Sequence, residues 1–578
     1  MNGGAARVLG RAATCAAAAA ACAPAWLILR YGVDVPYSDQ WNIAHFFEKS
    51  ARGTLTLADL YAQQNEYRQL FPHALFVGLG RLTGWDVRYE MFVSLLLACF
   101  VAWGVWRLGA RTFADPLRRG VLFLPASLLN FSAIQYDNWL FGVQVVYFVP
   151  VACVVAGLLF AYNEKTGTTV AVIACAALSV VSTFSSANGL VAWLVLPPAL
   201  LAARPAARAG ARRWLPLWCV GLALCAAVYF NGYARPGSHP QTSEALRHPL
   251  DALAYFVAYI GGPLAAWRHP LALALAVGAC ALPAYAFACA YLFRHRQDRA
   301  LVRRSTPWVV LGAYSLITGA LVTVGRVGFG VGHATTTRYA AFSLYLLVAL
   351  VYLLPCLVED ARQRGYLSTS RLALLKRVGA AAAALLVLAH VVIFALVVRH
   401  SAANWRQRLL RAKACLLFIE VVPEERCLSE GLYYDVPVLR ERAASLERMG
   451  YLRPPLVREG RMRAASAGES CVDGSFKLLP AEGGGYVAEG VARLPRRGGE
   501  PADAVVLAYG TSAEDQRAFA LAEVGEAGAR DGANWRKPFS PGTFPTNPPS
   551  TFTAWAFDAE EGKAYRLCDV REAAPPPR

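Results

Sequence analysis

The chain has 578 residues, 56% of them apolar and 17% charged, with a mean hydropathy of +0.36; a soluble domain carries roughly 25% charged residues, which argues against a cytosolic globular enzyme. The formal net charge of +18 lies entirely in residues 1–400, with 33 Lys/Arg against 15 Asp/Glu, because residues 401–578 hold 24 of each. That split rules out a uniformly basic surface for nucleic acid.

A helix crosses the ~30 Å hydrocarbon layer with about 20 apolar residues, since every backbone polar group must be satisfied within the segment. Eleven stretches suit or nearly suit that length, near 12–29, 88–107, 119–134, 143–162, 168–185, 189–203, 214–231, 271–293, 307–324, 340–358 and 378–398. With the N-terminus inside, the inner segments hold 21 Lys/Arg and 5 Asp/Glu and the outer ones 12 and 10. This positive-inside bias predicts a cytoplasmic N-terminus and, after an odd number of spans, an extracytoplasmic C-terminal part. A cleaved signal peptide is the alternative for the first stretch, where Arg7 and Arg11 precede an alanine-rich run. The expected domains are a membrane part over 1–398, a helical linker region over 399–465, a β-sandwich over 466–572 and a disordered proline-rich tail over 573–578.

The first outer loop, 30–87, is the longest in the membrane part, with helical segments near 41–51 and 69–83 expected to lie along the interface. It opens with Val35-Pro36-Tyr37-Ser38-Asp39-Gln40-Trp41-Asn42, only a few residues past the first span. A carboxylate at Asp39 suits a general base or a metal ligand; the plain alternative is that Asp39 N-caps a helix beginning at Gln40 or Trp41. Further along, Gln63-Gln64-Asn65-Glu66-Tyr67-Arg68-Gln69-Leu70-Phe71-Pro72-His73 gathers polar residues before an apolar helix, where Glu66 and Arg68 either meet a ligand or face water at a solvated helix start.

The second outer loop is very short and places Gln135, Tyr136, Asp137, Asn138 and Trp139 at the mouth of two spans, where an ionisable group is costly enough to suggest function. Loop 232–250 carries Tyr233, Arg235, His239 and His248 without the spacing of a zinc site. Loop 325–339 runs Gly325-Arg326-Val327-Gly328-Phe329-Gly330-Val331-Gly332-His333-Ala334-Thr335-Thr336-Thr337-Arg338-Tyr339. Its glycines let backbone approach a ligand, and Arg326 and Arg338 suit phosphate oxygens; Arg338 as a plain interface marker is the alternative.

Beyond the spans, helical patterns lie around 402–420 and 436–449, and short alternating runs from Cys471 to 569 suggest the β-sandwich. Trp535, Phe539, Phe544, Phe552 and Trp555 would stack on sugar rings if exposed and otherwise fill the core. Ten cysteines scattered through residues 1–400 read as small buried hydrophobes; if the C-terminal part lies in an oxidising compartment, Cys415–Cys427 with Cys471–Cys568 is the pairing expected among the three that four cysteines allow.

Taken together, the topology resembles the GT-C class of polyprenyl-phosphate-sugar-dependent glycosyltransferases. More closely, PYSDQWN, NEYRQLFP, SAIQYDNWLFGVQ, STFSSANGLVAW, YFNGYARPGSHP and GRVGFGVGHATTTRY resemble, in the same order, motifs of a bacterial family of multi-span membrane proteins. Gly490–Pro495 with Pro501–Leu507 resembles a GWA-type β-sandwich motif of envelope proteins, with Val491 where Trp is usual.

The resemblance implies a GT-C-like polytopic α-helical membrane protein with a C-terminal extracytoplasmic α+β region. It puts the acidic residue of the first loop on Asp39, with Asp34 as a nearby substitute, and a second acidic residue on Asp137. Arg338-Tyr339 fall on an SRY-like string, with Thr337 in place of Ser. The implied reaction is a single displacement: Asp39 takes the acceptor's proton and Arg338 and Arg326 stabilise the departing polyprenyl phosphate. Glu66, Arg68, Asp137, Asn138, His333 and Tyr339 would position sugar and acceptor.

The Asp-Glu doublet of some class members is missing, since Gln40 follows Asp39, which favours general-base catalysis. No cofactor is demanded, and a divalent cation (Mg or Mn) on Asp39 or Asp137 stays an open alternative. Expected partners are membrane lipid, a polyprenyl-phosphate-linked sugar and an envelope glycan, lipid or protein acceptor, with no nucleic acid. Ala/Arg-rich usage points to a bacterium and hence to its inner (plasma) membrane. Two competing readings are a transporter or flippase of a lipid-linked substrate, with charges in mid-helix, and a non-catalytic assembly protein.

Overall fold

The computed structural model describes residues 3–265, 269–462, 472–481, 485–510, 515–525, 533–540 and 551–569. The chain divides into two compact units, one of residues 1–32, 55–76 and 88–402 and the other of 33–54, 77–87 and 403–578. The long segment after the first apolar stretch is therefore shared, residues 55–76 belonging to the first unit and 33–54 and 77–87 to the second.

The first unit is helical. Among the described residues, eight helical stretches are long and apolar enough to cross a membrane: Arg7–Tyr31, Arg88–Thr112, Gly142–Tyr162, Ala211–Phe230, Pro270–Arg294, Arg299–Phe329, Thr337–Gln363 and Thr369–Leu417, the last counted to the second unit from residue 403 on. Every one of the eleven expected stretches falls on a helix, but Pro116–Asn130, Thr168–Thr183 and Val191–Ala203 have only 15, 16 and 13 residues. At 1.5 Å per residue these rise roughly 20–24 Å, less than the hydrocarbon thickness. A further helix, Pro249–Gly261, was not expected, because its 13 residues are cut short by Gly262-Pro263.

Helix ends are closed by local chemistry. Asp115 caps Pro116–Asn130 by accepting from Leu117 and Arg118 N–H at 3.3 and 3.2 Å, and Asp298 accepts from Leu301 N–H at 3.0 Å. Arg204 donates to the carbonyls of Phe160, Ala161, Asn163 and Thr166, satisfying the open C-terminus of Gly142–Tyr162 and the turn that follows it. Between helices, buried polar groups pair across the bundle, as Tyr345 does with Asn130 at 3.1 Å and Asn188 with Tyr314 at 2.9 Å. The same unit contains a two-stranded hairpin, β1 (Gln63–Gln64) and β2 (Tyr67–Arg68).

In the second unit, helices Ala403–Leu417, Glu425–Gly431 and Val436–Arg448 bury Leu409, Leu416, Leu428, Leu439 and Leu446. Cys415 and Cys427 are joined by a disulfide. Cys568 is also disulfide-bonded; its expected partner Cys471 lies outside the described residues.

Eight strands follow: β3 (Val472–Ala481), β4 (Gly485–Leu494), β5 (Glu500–Pro501), β6 (Ala504–Gly510), β7 (Gln516–Ala522), β8 (Trp535–Phe539), β9 (Thr551–Asp558) and β10 (Lys563–Asp569). They form one hydrogen-bonded path, β5-β4-β3-β10-β9-β6-β7, with β8 on β4 and a parallel pair at β3–β10. Phe476 and Leu494 from one half and Val505, Leu507 and Ala554 from the other fill one common core. Trp535 and Trp555 are each 3% exposed and belong to the interior, while Phe539 and Phe552 pack together at 6.1 Å. The indoles are thus unavailable for stacking on a sugar; Phe544 lies outside the described residues.

Candidate functional site

In the first unit, the polar string around Glu66 is a tight hairpin, not a solvated helix start. Asn65 takes a left-handed φ of 51°, a conformation Asn tolerates in turns, and this puts Glu66 in the connection between β1 and β2. Reciprocal bonds hold the hairpin to the next loop: Gln63 Nε2 donates to Ala234 O at 2.6 Å and Ala234 N–H donates to Gln63 Oε1 at 3.1 Å. Tyr229 Oη donates to Glu66 O at 2.7 Å.

Arg68, 6% exposed, donates from Nε to Tyr229 O at 2.8 Å and from Nη2 to Asn231 O at 2.5 Å. It satisfies carbonyls at the C-terminus of helix Ala211–Phe230. Replacing Arg68 by Met is therefore expected to lower stability by about 1–3 kcal/mol, the cost of buried acceptors left open. Thermal unfolding of the full chain in lipid checks this; an unchanged transition would remove Arg68 from the scaffold.

The Glu66 carboxylate forms an ion pair with Arg326 at the end of helix Arg299–Arg326, and its second oxygen lies 3.2 Å from His239 Nδ1. His239 is pushed below its usual range by burial, which with Arg326, Arg235 and Arg338 outweighs the opposing pull of Glu66. Gly330, at φ 92°, turns the chain between two short helical turns, and Gly328 lies so close to Pro240 that a Cβ would sit 2.5 Å from its ring.

This turn returns Arg338 to the same cluster. Thr337 Oγ1 donates to Asp137, and Asn138 Nδ2 donates to Arg338 O at 3.1 Å, so the Thr-Arg-Tyr string is bound by the Asp137-Asn138 pair. Around the guanidinium stand Tyr67, Tyr147 and Tyr339, with Tyr67 hydrogen-bonded to Tyr147. Burial foremost, then Tyr147 and Glu66, raises Tyr67 above the usual phenol range. His333 Nδ1 lies 3.2 Å from Tyr255 Oη. Burial, then Arg338 and Arg326, brings His333 down to about 4, so its imidazole is neutral at neutral pH.

Among the described residues, four buried polar atoms of this cluster have no hydrogen-bond partner: Glu66 Oε2, Arg338 Nε, Asn138 Oδ1 and Gln135 Oε1. Such atoms are costly to leave open. The cationic donor suits an anionic oxygen, and the three acceptor oxygens suit hydroxyl groups beside it.

Glu66, Asp137, Asn138, Arg326, His333, Arg338 and Tyr339 thus all fall in the first unit, with Tyr67, Tyr147, His239 and Tyr255 as members the sequence reading did not single out for the site. Asp34 and Asp39 fall in the second unit. Asp34 Oδ1 accepts from Val87 N–H at 3.2 Å, tying the two flanks of the loop together. Asp39 lies in the short helical turn Ser38–Asn42, whose N-cap position falls on Tyr37 while Gln40 Oε1 accepts from Tyr37 N–H. Asp39 thus lies inside the turn, one residue past its first. Among the described residues, no group of three or more His, Cys, Asp or Glu side chains is placed to hold a metal ion. Neither a family model, a curated protein nor a solved structure matches the chain.

Proposed function

We propose that the chain is an integral-membrane glycosyltransferase of GT-C type, moving a sugar from a polyprenyl-phosphate donor to an envelope glycan, lipid or protein acceptor on the outer face of a bacterial inner membrane. The observation that carries this reading is the buried Arg338, its Nε without a partner, within a wall of tyrosines and sharing Tyr339 and His333 as neighbours with Arg326. A guanidinium held in low dielectric and ringed by aromatic faces suits a phosphate attached to an apolar chain and a sugar. The basic inner segments support a cytoplasmic N-terminus and an outward-facing C-terminal region.

In the reaction, Asp39 accepts the proton of the acceptor hydroxyl while that oxygen bonds to the anomeric carbon. The bond from the anomeric carbon to the phosphate oxygen breaks, and polyprenyl phosphate leaves with the electron pair. Arg338 meets the growing charge on the leaving oxygen, and Arg326, held by Glu66, adds to the field. Neutral His333 and Asn138 are hydrogen-bonding groups for sugar or acceptor hydroxyls.

The test is release of polyprenyl phosphate from a radiolabelled polyprenyl-phosphate-sugar panel by the full chain in lipid nanodiscs. The expected result is turnover of at least one donor, with Arg338→Met weakening donor binding about ten- to hundredfold, the worth of a charged hydrogen bond. If no donor is bound or consumed, the reading fails, and substrate movement across vesicles becomes the experiment that decides for a transporter.

A further inference from the structure

The string Tyr37-Ser38-Asp39-Gln40-Trp41-Asn42 has too few apolar residues to hold its own shape, yet it is sharply defined within the second unit. Ser38 has φ 48°, a left-handed conformation that a residue other than glycine adopts only at a cost of about 1–2 kcal/mol. Its N–H donates to Leu432 O at 2.7 Å. On the far side of Asp39, Trp41 is fully buried, and Arg442 Nη1 donates to Trp41 O at 2.8 Å and to Asn42 Oδ1 at 3.1 Å. Tyr433 Oη donates to the same Asn42 oxygen at 2.8 Å. Before the turn, Tyr37 packs edge-on to Trp405 at 5.5 Å, and the Arg408 guanidinium lies 5.4 Å from the Tyr37 ring and 4.8 Å from that of Trp405.

The residues immediately before and after Asp39 are thus gripped by segment 405–442, some 400 residues later in the chain. That segment is itself braced: the Cys415–Cys427 disulfide links two of its helices, Asp435 caps the third by accepting from Val438 N–H at 3.1 Å, and Leu428 and Leu439 are buried. A merely stabilising contact has no need to keep Ser38 in a strained conformation. That conformation sets the direction in which the chain enters Asp39.

We infer that Arg442 is a positioning residue that, with Tyr433 and the Leu432 carbonyl, fixes the orientation of Asp39. This rests on the reading of Asp39 as the general base. A base displaced by about 1 Å loses on the order of a hundredfold in rate while the donor's own binding groups stay in place. The effect belongs to kcat.

The experiment compares wild type, Arg442→Gln, Arg442→Lys and Tyr433→Phe as full chains in nanodiscs, by kcat and donor KM and by hydrogen exchange over residues 37–43. Arg442→Gln is expected to lower kcat about ten- to hundredfold with KM little changed, and to speed exchange of the 37–43 amides. Arg442→Lys, which keeps a charged donor, recovers part of both. Tyr433→Phe removes one bond to Asn42 and gives a smaller loss in the same direction; it carries the test if Arg442→Gln does not fold. Wild-type kcat in Arg442→Gln overturns the inference, and so does a loss of kcat with exchange unchanged. If wild type turns over no donor, the transferase reading fails, and the exchange data alone decide whether the clasp on this loop exists.

Discussion

Asp39→Asn is expected to lower kcat by about 10²–10⁴-fold, the usual worth of a positioned general base, with donor KM nearly unchanged. The substitution keeps the size of the side chain and an acceptor oxygen, so the turn Ser38–Asn42, capped by Gln40 and gripped from Leu432, Tyr433 and Arg442, stays folded. What disappears is the capacity to take a proton. Asp34→Asn is the matched control. Asp34 Oδ1 accepts from Val87 N–H, a bond the Asn oxygen can also accept, so the change in turnover should stay within about threefold, matching a loss well under 1 kcal/mol. The measurement is single-turnover release of polyprenyl phosphate with each variant. Equal rates in Asp39→Asn and wild type would move the base to another group, with Glu66→Gln and His333→Gln the next variants to measure.

The membrane helices were legible because bilayer thickness writes itself into sequence as long apolar runs, and each of the eleven runs lies on a helix. Pro249–Gly261 escaped because it is short and ends at Gly262-Pro263. The Cys415–Cys427 bond is one of the pairings that the four C-terminal cysteines allow. The hairpin carrying Glu66 could not, since Gln63–Gln69 has no alternation; its shape comes from Asn65 and from bonds to residues 229–234. Arg68 reads from sequence as a ligand group, yet the carbonyls it satisfies lie more than 160 residues away.

Tyr67, Tyr147 and Tyr255 carried no distinguishing signal either, because tyrosine is common at membrane interfaces for anchoring alone. Tyr67 between Glu66 and Arg68 was the one available hint. The division of loop 30–87 between two units was equally invisible, as it depends on partners such as Arg442 and Tyr451 that follow some 400 residues later.

Arg497→Met is expected to destabilise the C-terminal β region by about 3–5 kcal/mol, the cost of stripping the partner from buried charges. Arg497 donates to both oxygens of Asp503, at 3.0 and 3.1 Å, and to Asp558. These carboxylates are 6% and 1% exposed. They also hold backbone: Asp503 Oδ2 accepts from Ala559 N–H at 2.8 Å, and Asp558 Oδ1 from Glu560 and Glu561 N–H. One guanidinium thus ties the start of β6 to the β9–β10 turn, and its loss leaves two acids facing each other.

The pH dependence separates this effect from simple loss of packing. Burial outweighs the Arg497 field and pushes Asp503 up to about 6, above the ~3.9 of an unfolded Asp. The folded state therefore holds this proton more tightly, so the group's stabilising contribution is full below about pH 4 and is lost as pH rises through 6. Asp503→Asn cannot titrate, and the difference in stability between wild type and this variant should change by about 3 kcal/mol between pH 4 and 7. Glu560 is held below its usual range by Arg406 and works in the opposite sense, losing its contribution on acidification, but it is common to both proteins and cancels in the difference. Hydrogen exchange of the β6 and β9 amides in the full chain gives both quantities. A flat difference profile would mean that Asp503 is solvated in the folded protein, and the large effect expected of Arg497→Met would fall with it.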